Sequence, residues 1–324
     1  MTKILGIGNA LVDIMTTLTN ESYLEKLNLP KGSMQLVDAD TISKALEATS
    51  GLKQVLASGG SAANTINGLS NLGVQTAFIG KVGNDEFGDF FRSDMKKNGI
   101  NPLLLTGKAP TGRALALVSP DSERTFAVNL GAAIEMVPSD LTPEMFLGYN
   151  YFHIEGYLVQ NHSLIEKALM LAKQAKLTVS LDLASYNVVE ANKKFLERMI
   201  ADYVDIVFAN EEEAKAFTGK SPEESLDVFA EMVDIAVVKV GANGSYIKKG
   251  DKKYTVGVIK VNPIDTTGAG DLYASGFLYG LTKGYELNRC GQIGAILSGK
   301  VIEVIGPKMS QDTWKEIREQ VSKI

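Results

Sequence analysis

The sequence predicts an α/β protein with a mainly parallel central sheet, and the second half of the chain shows the pattern most clearly. Four apolar runs of strand length end near Glu155, Asp182, Ala209 and Val240, at intervals of about 27 to 31 residues. Segments with helical spacing lie between them, at 163–175, 190–201 and 225–232. Strands that alternate with helices at this interval are typical of right-handed crossovers between parallel strands. The carboxyl ends of these strands should meet at one edge of the sheet, where α/β proteins bind ligands.

The first half of the chain adds shorter elements and a hairpin. Apolar runs predict strands at 4–8 and 76–80, and helical spacing predicts helices at 41–49 and 85–98. Two strand-like runs, 114–118 and 124–128, flank a turn at Pro120 and Asp121. A hairpin so unlike its surroundings predicts a β element that projects from the α/β core. Arg124 at its second run would be a solvated charge, unless the hairpin folds over a site and Arg124 binds a phosphate there.

The composition excludes several classes of function. A net charge of −5 over 324 residues gives no basic surface for nucleic acid or an anionic membrane. Cys290 is the only cysteine, which excludes an internal disulfide and a cysteine metal cluster, and two histidines argue against a histidine-rich metal site. The apolar runs fall short of the roughly 20 residues that a membrane helix needs, and no signal-peptide pattern opens the sequence. We therefore expect a cytoplasmic protein with a small-molecule ligand.

The segment from Asp265 to Asp271 (DTTGAGD) lies between a predicted strand at 254–261 and a predicted helix at 272–281. Gly268 and Gly270 would let an anion approach the free amides of a helix start. Asp271 would repel that anion, unless its carboxylate takes a proton from an attacking hydroxyl group. In the other interpretation, Asp271 only favours the helix dipole and the glycines only turn the chain. The local sequence leaves both interpretations open.

Two clusters in the first half could bind a hydroxyl-rich ligand. Gly59 and Gly60 precede a predicted helix, and Asn64 lies one turn into it with an amide that can both donate and accept. Asn9 and Asp13 lie just beyond the first predicted strand, at the ligand-binding edge of an α/β sheet. Solvated turn residues are the alternative interpretation for the second cluster.

Two further segments follow strands in the second half. Asn210 and Glu213 lie one turn apart at a helix start, where they could organise the water shell of Mg²⁺ or could simply cap the helix. The segment from Gly241 to Gly244 follows an apolar strand and could turn against a nucleotide or form a hairpin turn.

Taken together, three motifs resemble those of the ribokinase-like carbohydrate kinase family (phosphofructokinase-B type, PfkB), which includes adenosine kinases. They are Asp265 to Asp271, the segment GGSAAN at 59–64, and Asn210-x-x-Glu213. The resemblance covers nearly the full length. It implies a three-layer α/β/α domain over residues 1–324 with a mainly parallel central sheet, and a small β-sheet lid formed by approximately 14–40 and 110–130. It also implies ATP and Mg²⁺, and transfer of the γ-phosphoryl group to an alcohol.

The resemblance assigns roles by position. It implies that Asp271 is the general base and that the amides of Gly268, Ala269 and Gly270 form the anion hole, with Arg124 over the transferred phosphate. It implies an acceptor site formed by Asn9, Asp13, Gln35, Gly59, Gly60, Asn64 and Glu155. It implies a nucleotide and Mg²⁺ site formed by Asn210, Glu213, Gly241, Gly244 and Thr266. Some members also bind K⁺ near the DTTGAGD motif, which this sequence leaves open.

The acceptor is not decided by the sequence. Asn9, Asp13 and Gln35 lie in segments that resemble the adenosine kinase branch, whereas Glu155 lies where ribokinase has a sugar-contacting glutamate. A purine nucleoside and a free sugar therefore both remain open, as ribosyl-type acceptors phosphorylated at a hydroxymethyl group. The alternative function is a non-catalytic nucleotide or metabolite sensor that kept the kinase fold. The resemblance leaves a monomer and a homodimer through the lid as the expected states.

Overall fold

The computed structural model describes residues 2–121 and 123–324. Its strands are β1 (Lys3–Ile7), β2 (Leu11–Thr17), β3 (Met34–Leu36), β4 (Gln54–Gly59), β5 (Gln75–Val82), β6 (Ile100–Thr106), β7 (Gly112–Val118), β8 (Arg124–Asn129), β9 (Tyr151–Glu155), β10 (Thr178–Asp182), β11 (Ile206–Asn210), β12 (Ile235–Lys239), β13 (Ser245–Lys249) and β14 (Lys252–Val256). Its α-helices are α1 (Ser22–Lys26), α2 (Ala39–Thr49), α3 (Ser61–Asn71), α4 (Glu86–Lys97), α5 (His162–Gln174), α6 (Tyr186–Tyr203), α7 (Glu211–Thr218), α8 (Pro222–Met232), α9 (Ala269–Thr282), α10 (Leu287–Val301) and α11 (Gln311–Val321). Within these described residues, no helix has both the length and the apolar character that crossing a bilayer requires.

The large sheet has the strand order β14-β13-β12-β11-β10-β9-β1-β5-β6. The strands from β12 to β6 pair in parallel, and only β13 and β14 are antiparallel. The register places Glu155 opposite Asp182, and Asn210 opposite Lys239. The predicted parallel sheet is therefore confirmed, and its register brings the ends of four strands to one edge.

Helices cover both faces of this sheet, because alternate strand residues point to opposite sides. On β11, Val207 and Ala209 pack with residues of α5 to α8, whereas Ile206 and Phe208 pack with residues of α3, α4, α9 and α10. The strands are buried along almost their whole length, as strands covered on both faces must be. The three-layer α/β/α architecture is thus confirmed.

A second, smaller sheet has the order β3-β8-β7-β2-β4. The predicted hairpin is present as the antiparallel pair β7 and β8. The small sheet differs from the sequence prediction in two ways. The strand β2 begins at Leu11, ahead of residue 14, and the sheet contains an additional strand, β4, for which the sequence predicts none. The strand β4 was missed because Gln54 to Gly59 has no clear alternation of apolar and polar residues.

The helix that follows the DTTGAGD segment starts earlier than predicted. α9 begins at Ala269, three residues before the predicted start at 272, so Asp271 lies within its first turn. Gly268 has a φ of 77°, a left-handed conformation that glycine adopts without a Cβ clash. The preceding strand β14 ends at Val256 rather than at residue 261, and residues 257–268 cross the carboxyl edge of the sheet as a loop.

Candidate active site

A cleft of about 1980 Å³ runs along the carboxyl edge of the large sheet, with the small sheet as one wall. Sites for one small ligand usually measure about 300–1,000 Å³, so this cleft has room for two ligands side by side. The strand ends contribute Glu155, Asp182, Asn210 and Lys239 to its lining. The parallel register thus gathers side chains that are far apart in sequence into one concave site.

Asp271 lies deep in this cleft, at the first turn of α9. Its Oδ1 accepts a hydrogen bond from the Ser61 hydroxyl at 2.7 Å, and its Oδ2 accepts one from Asn64 Nδ2 at 3.0 Å. Burial raises the pKa of Asp271 to about 6, and the bonds from Ser61 and Asn64 partly offset this effect. The carboxyl group is therefore fixed in orientation and is more basic than an exposed aspartate.

The loop before α9 presents free amides to the same point. Within residues 2–121 and 123–324, the amides of Gly268, Gly270 and Asp271 have no hydrogen-bond acceptor, whereas the amide of Ala269 donates to the Thr266 carbonyl at 3.1 Å. The three amides predicted for an anion hole thus differ in whether they are free to bind a ligand. The Ala269 amide closes the turn, and the Asp271 amide takes its place among the free donors.

Arg124, at the start of β8, reaches this loop from the small sheet. Its guanidinium forms an ion pair with Asp265, and its Nη1 lies 3.4 Å from the Thr267 hydroxyl. The Arg124 side chain is only 12 % exposed, so the prediction of a solvated charge is wrong: the hairpin folds over the site. Burial tends to raise the pKa of Asp265, but hydrogen bonds from Arg124 and from the amides of Thr267 and Gly306 outweigh it and lower the pKa.

Asp13 projects from β2 over the end of β4. A Cβ on Gly59 would overlap all three atoms of the Asp13 carboxyl group, so only glycine leaves room for that side chain. Gly60 has a φ of 99°, and a Cβ there would overlap the Asn9 carbonyl oxygen. Burial raises the pKa of Asp13 to about 7, with Lys308 acting in the opposite direction. A side chain at either position would therefore clash with a neighbouring residue, which explains why both residues are glycine.

Glu155 lines the cleft, as the resemblance implies, but its carboxylate is held by protein donors. Its Oε1 accepts hydrogen bonds from the amide and the side chain of Asn9, both at 2.9 Å, and its Oε2 accepts one from the Ala62 amide at 2.7 Å. The residue is 1 % exposed, and burial raises its pKa to about 7. Glu155 thus joins β1, β9 and the start of α3 beneath the site. Protein donors thus take three of the roughly four acceptor positions of its carboxylate, so Glu155 gives little support to a free sugar over a nucleoside.

Gln35 is another correction. Its neighbours Met34 and Leu36 line the cleft, but Gln35 is not among the lining residues. Successive side chains of a strand point to opposite faces, so the side chain of Gln35 points to the face of the small sheet away from the cleft. The period of two along β3 therefore places two apolar side chains, and not the amide, against a ligand.

Asn210 and Glu213 form a capping box at the start of α7. Asn210 Oδ1 accepts from the Glu213 amide at 2.8 Å, while the Glu213 carboxylate accepts from the Asn210 amide at 2.8 Å and from Asn210 Nδ2 at 2.7 Å. Glu213 is 2 % exposed, and burial together with nearby Asp182 raises its pKa to about 7. The capping interpretation is thus confirmed. The pair also lines the cleft, and its role toward Mg²⁺ stays a prediction.

The predicted nucleotide residues Gly241, Gly244 and Thr266 all line the cleft. Gly241 and Gly244 form the turn between the antiparallel strands β12 and β13, with φ values of 53° and 92°. A Cβ on Gly244 would overlap the Val256 carbonyl oxygen, so this position is restricted to glycine. The hairpin turn and the cleft wall are therefore the same segment.

Sequence reasoning missed two polar groups of the site, Ser61 and Lys239. Ser61 lies inside the GGSAAN motif, and its position at the first residue of α3 was the available signal. Lys239 had no signal, because its neighbours in the cleft come from β10, α7 and α9. Only the sheet register brings them together.

The chain is similar to known sugar and nucleoside kinases over most of its length. The profile of the pfkB family carbohydrate kinases matches residues 33–314. A probable sugar kinase protein from Rhizobium etli CFN 42 has a solved structure with a TM-score of 0.88 and 34 % identity, covering 100 % of both chains. The adenosine kinase from Sinorhizobium meliloti has a TM-score of 0.86 and 33 % identity, covering 98 % of this chain and 99 % of its own. The adenosine kinase of Saccharomyces cerevisiae is 29 % identical over 332 residues, covering 93 % of this chain and 95 % of its own. The chain therefore belongs to the PfkB family of carbohydrate kinases and is a phosphotransferase that acts on a hydroxyl group of a sugar or nucleoside.

Proposed function

We propose that the protein transfers the γ-phosphoryl group of ATP to the hydroxymethyl group of a ribonucleoside, with Asp271 as general base. The observation that carries this proposal is the position of Asp271. Its carboxyl group is half-buried and held by Ser61 and Asn64, next to the free amides of Gly268 and Gly270. A base and an anion hole side by side are the two groups that phosphoryl transfer to an alcohol requires.

The reaction follows from this arrangement. The acceptor oxygen attacks the γ-phosphorus while its proton moves to Asp271, the new O–P bond forms, and the bond to the bridging oxygen of ADP breaks. The loop amides donate to the phosphoryl oxygens, on which negative charge is concentrated in the transition state. Arg124 lies against Thr267 of the same loop and adds a positive charge beside it.

The acceptor end of the cleft supports a nucleoside over a free sugar. Asp13 can bind ribose hydroxyl groups, and so can the Asn64 Oδ1 atom, which is buried and has no hydrogen-bond partner among residues 2–121 and 123–324. Next to them lies an apolar wall, formed by Leu11, Met34, Leu36, Ala114, Phe126, Val128, Ile134 and Met136. Met34, Leu36 and Ile134 are 66, 66 and 62 % exposed, so a nucleobase would bury them, at about 25 cal/mol per Å². A free sugar has no apolar group for this wall. The likeness to adenosine kinases agrees with this assignment.

Mg²⁺ fits the chemistry of the nucleotide end. Asn210 and Glu213 supply oxygen atoms at the cleft, and their mutual hydrogen bonds fit a hold on the ion through its water shell. When bound, Mg²⁺ would neutralise charge on the ATP phosphates. K⁺ binding stays a prediction of the resemblance. The Asp265 carboxylate beside the loop would be a ligand of opposite charge for K⁺, but it already accepts hydrogen bonds from the amides of Thr267 and Gly306 and pairs with Arg124.

Asp271→Asn tests the general base, because the substitution keeps the shape of the side chain and removes the basic oxygen. We expect kcat to fall by about 10² or more with the affinity for ADP unchanged. Asp140→Asn is the matched control, since Asp140 pairs with Lys81 outside the cleft. Near-normal turnover of Asp271→Asn would contradict the proposal.

Acceptor-dependent release of ADP separates an enzyme from a sensor and identifies the acceptor. Wild-type protein with ATP and Mg²⁺ is assayed with adenosine, inosine, guanosine, ribose and fructose. We expect turnover with at least one nucleoside and none with the free sugars at equal concentration. Turnover with ribose or fructose alone would overturn the nucleoside assignment, and binding of ATP without turnover on any acceptor would favour the sensor.

A further inference from the structure

Lys239, the last residue of β12, is a largely buried cation next to the first turn of α9. Its Nζ donates to Asp182 Oδ2 at 2.9 Å, and the side chains of Lys239 and Asp182 are 15 % and 7 % exposed. A Cβ added to Gly270 would lie only 3.0 Å from Nζ. The ammonium group therefore packs against Gly270, whose amide is one of the free donors among the described residues.

The position of this ammonium group is fixed by its partner. Asp182 Oδ1 accepts a hydrogen bond from the Ala184 amide at 3.1 Å, while Oδ2 faces Lys239. Ala184 has a φ of 69°, a left-handed conformation that is unfavourable for a residue with a Cβ. Strained residues of this kind often lie at functional sites, where the surrounding structure holds them. The turn at 182–184 thus holds the carboxylate, and the carboxylate holds the lysine.

Lys239 uses fewer of its N–H donors than Lys81, the lysine of a second buried ion pair. Lys81 pairs with Asp140 at 2.8 Å with an 11 % exposed side chain, and it also donates to the Glu135 carbonyl at 2.9 Å. Lys239, in the part of the chain that the structure describes, donates to Asp182 alone. An ammonium group has three N–H donors, so two donors of Lys239 remain free beside the cleft that it lines.

The charges around Lys239 keep it protonated. Burial tends to lower its pKa, but Asp182, Glu213 and Asp271 together outweigh this effect and raise the pKa. Free donors on a charged group, next to backbone amides that also lack acceptors, form a site for an anion rather than for a neutral hydroxyl group.

We propose that Lys239 is a further catalytic residue, whose ammonium group donates hydrogen bonds to a non-bridging oxygen of the phosphoryl group during its transfer. The inference rests on the proposed function, since it assigns one more donor to the same anion hole. Lys239 gives up no proton and forms no bond in the step. It neutralises charge on the phosphoryl oxygens while Asp271 takes the proton of the acceptor. Lys239 thus adds a second positive charge to the site, besides that of Arg124.

Lys239→Met tests the assignment, with Lys81→Met as the matched control for loss of a buried lysine. Steady-state kinetics use the acceptor that gives the highest wild-type rate. Titrations measure binding of ADP alone and of ADP with aluminium fluoride, a mimic of the transferred phosphoryl group, with Mg²⁺ present. We expect Lys239→Met to lower kcat by about 10² to 10³. In wild type, ADP should bind more tightly with aluminium fluoride than alone. Lys239→Met should abolish this difference and keep the Kd of ADP alone within threefold of wild type. Lys81→Met should keep kcat within threefold.

Three results would overturn the inference: a kcat of Lys239→Met within threefold of wild type, a change confined to the KM for ATP, or an equal loss of kcat in Lys81→Met. If Lys239→Met does not fold, Lys239→Met with Asp182→Asn removes both charges of the pair and is judged by the same criteria. The activity of the wild-type protein tests the proposed function separately from the role of Lys239. Absence of acceptor-dependent ADP release by wild type would refute the function, whereas an active wild type with an unaffected Lys239→Met would refute only the role of Lys239.

Discussion

Substitution of Gly59 by alanine is expected to displace the Asp13 carboxyl group, which we assign to acceptor binding, and to leave Asp271 in place. Asp13 on β2 pairs with Ala57 on β4, and its carboxyl group lies over Gly59, two residues further along the same face. The new methyl group would overlap the whole carboxyl group, and an ordinary van der Waals contact then requires a shift of about 1 Å. A shift of this size is enough to break a hydrogen bond of ordinary length between Asp13 and a ligand.

The size of the effect follows from the hydrogen bonds that Asp13 would lose. A hydrogen bond to a charged group contributes about 1.5–3 kcal/mol. At about 1.4 kcal/mol per factor of ten, loss of one such bond to a ribose hydroxyl group raises the KM of the acceptor about 10- to 150-fold. The KM of ATP should change little, since Gly59 and Asp13 lie at the opposite end of the cleft from Gly241 and Gly244.

Initial rates at varied adenosine and varied ATP measure both constants, and thermal unfolding reports whether the variant is folded. Gly51→Ala is the matched control. It makes the same substitution three residues before β4, at a position where no atom of the described residues would lie within 4 Å of a new Cβ. Gly51→Ala should leave both constants unchanged. A folded Gly59→Ala protein with an acceptor KM within twofold of wild type would refute the assignment of Asp13 to the acceptor.

Two other predictions concern stability and the loop before α9. Burial raises the pKa values of Asp13, Glu155 and Glu213 to about 7 and that of Asp271 to about 6, above their values in an unfolded chain. Their contribution to stability is therefore full below about pH 4 and is lost as pH rises through 6 to 7. The Tm of the ligand-free protein should fall by roughly 5 °C between pH 6 and pH 8, and a rising Tm would contradict the burial of these groups. Arg124→Met should lower kcat by about tenfold or more, because it removes the charge beside Thr267 and leaves Asp265 with donors from Thr267 and Gly306 only. Steady-state rates check this result, and unchanged turnover would limit Arg124 to a structural contact.

The motifs predicted which segments form the site, but not what each side chain contacts. Gly268 and Gly270 were identifiable because a helix start that receives an anion needs residues without a Cβ. Ala269 could not be excluded from the anion hole, because its amide is used by a turn that exists only in the folded loop. Gln35 was assigned to the acceptor by resemblance, and the alternation along β3 turns it away.

Periodicity and spacing in the sequence determined the architecture of this protein. Regular strand–helix intervals give a parallel sheet, and a parallel sheet gives one edge where strand ends meet, so the location of the site followed from local signals. The tertiary structure alone decided the use of its charged groups. Glu155 is occupied by Asn9 and Ala62, Arg124 is drawn to Asp265, and Lys239 is placed beneath Gly270. Each of these outcomes depends on partners that are distant in sequence, because burial and pairing are properties of the packed chain and not of any one segment.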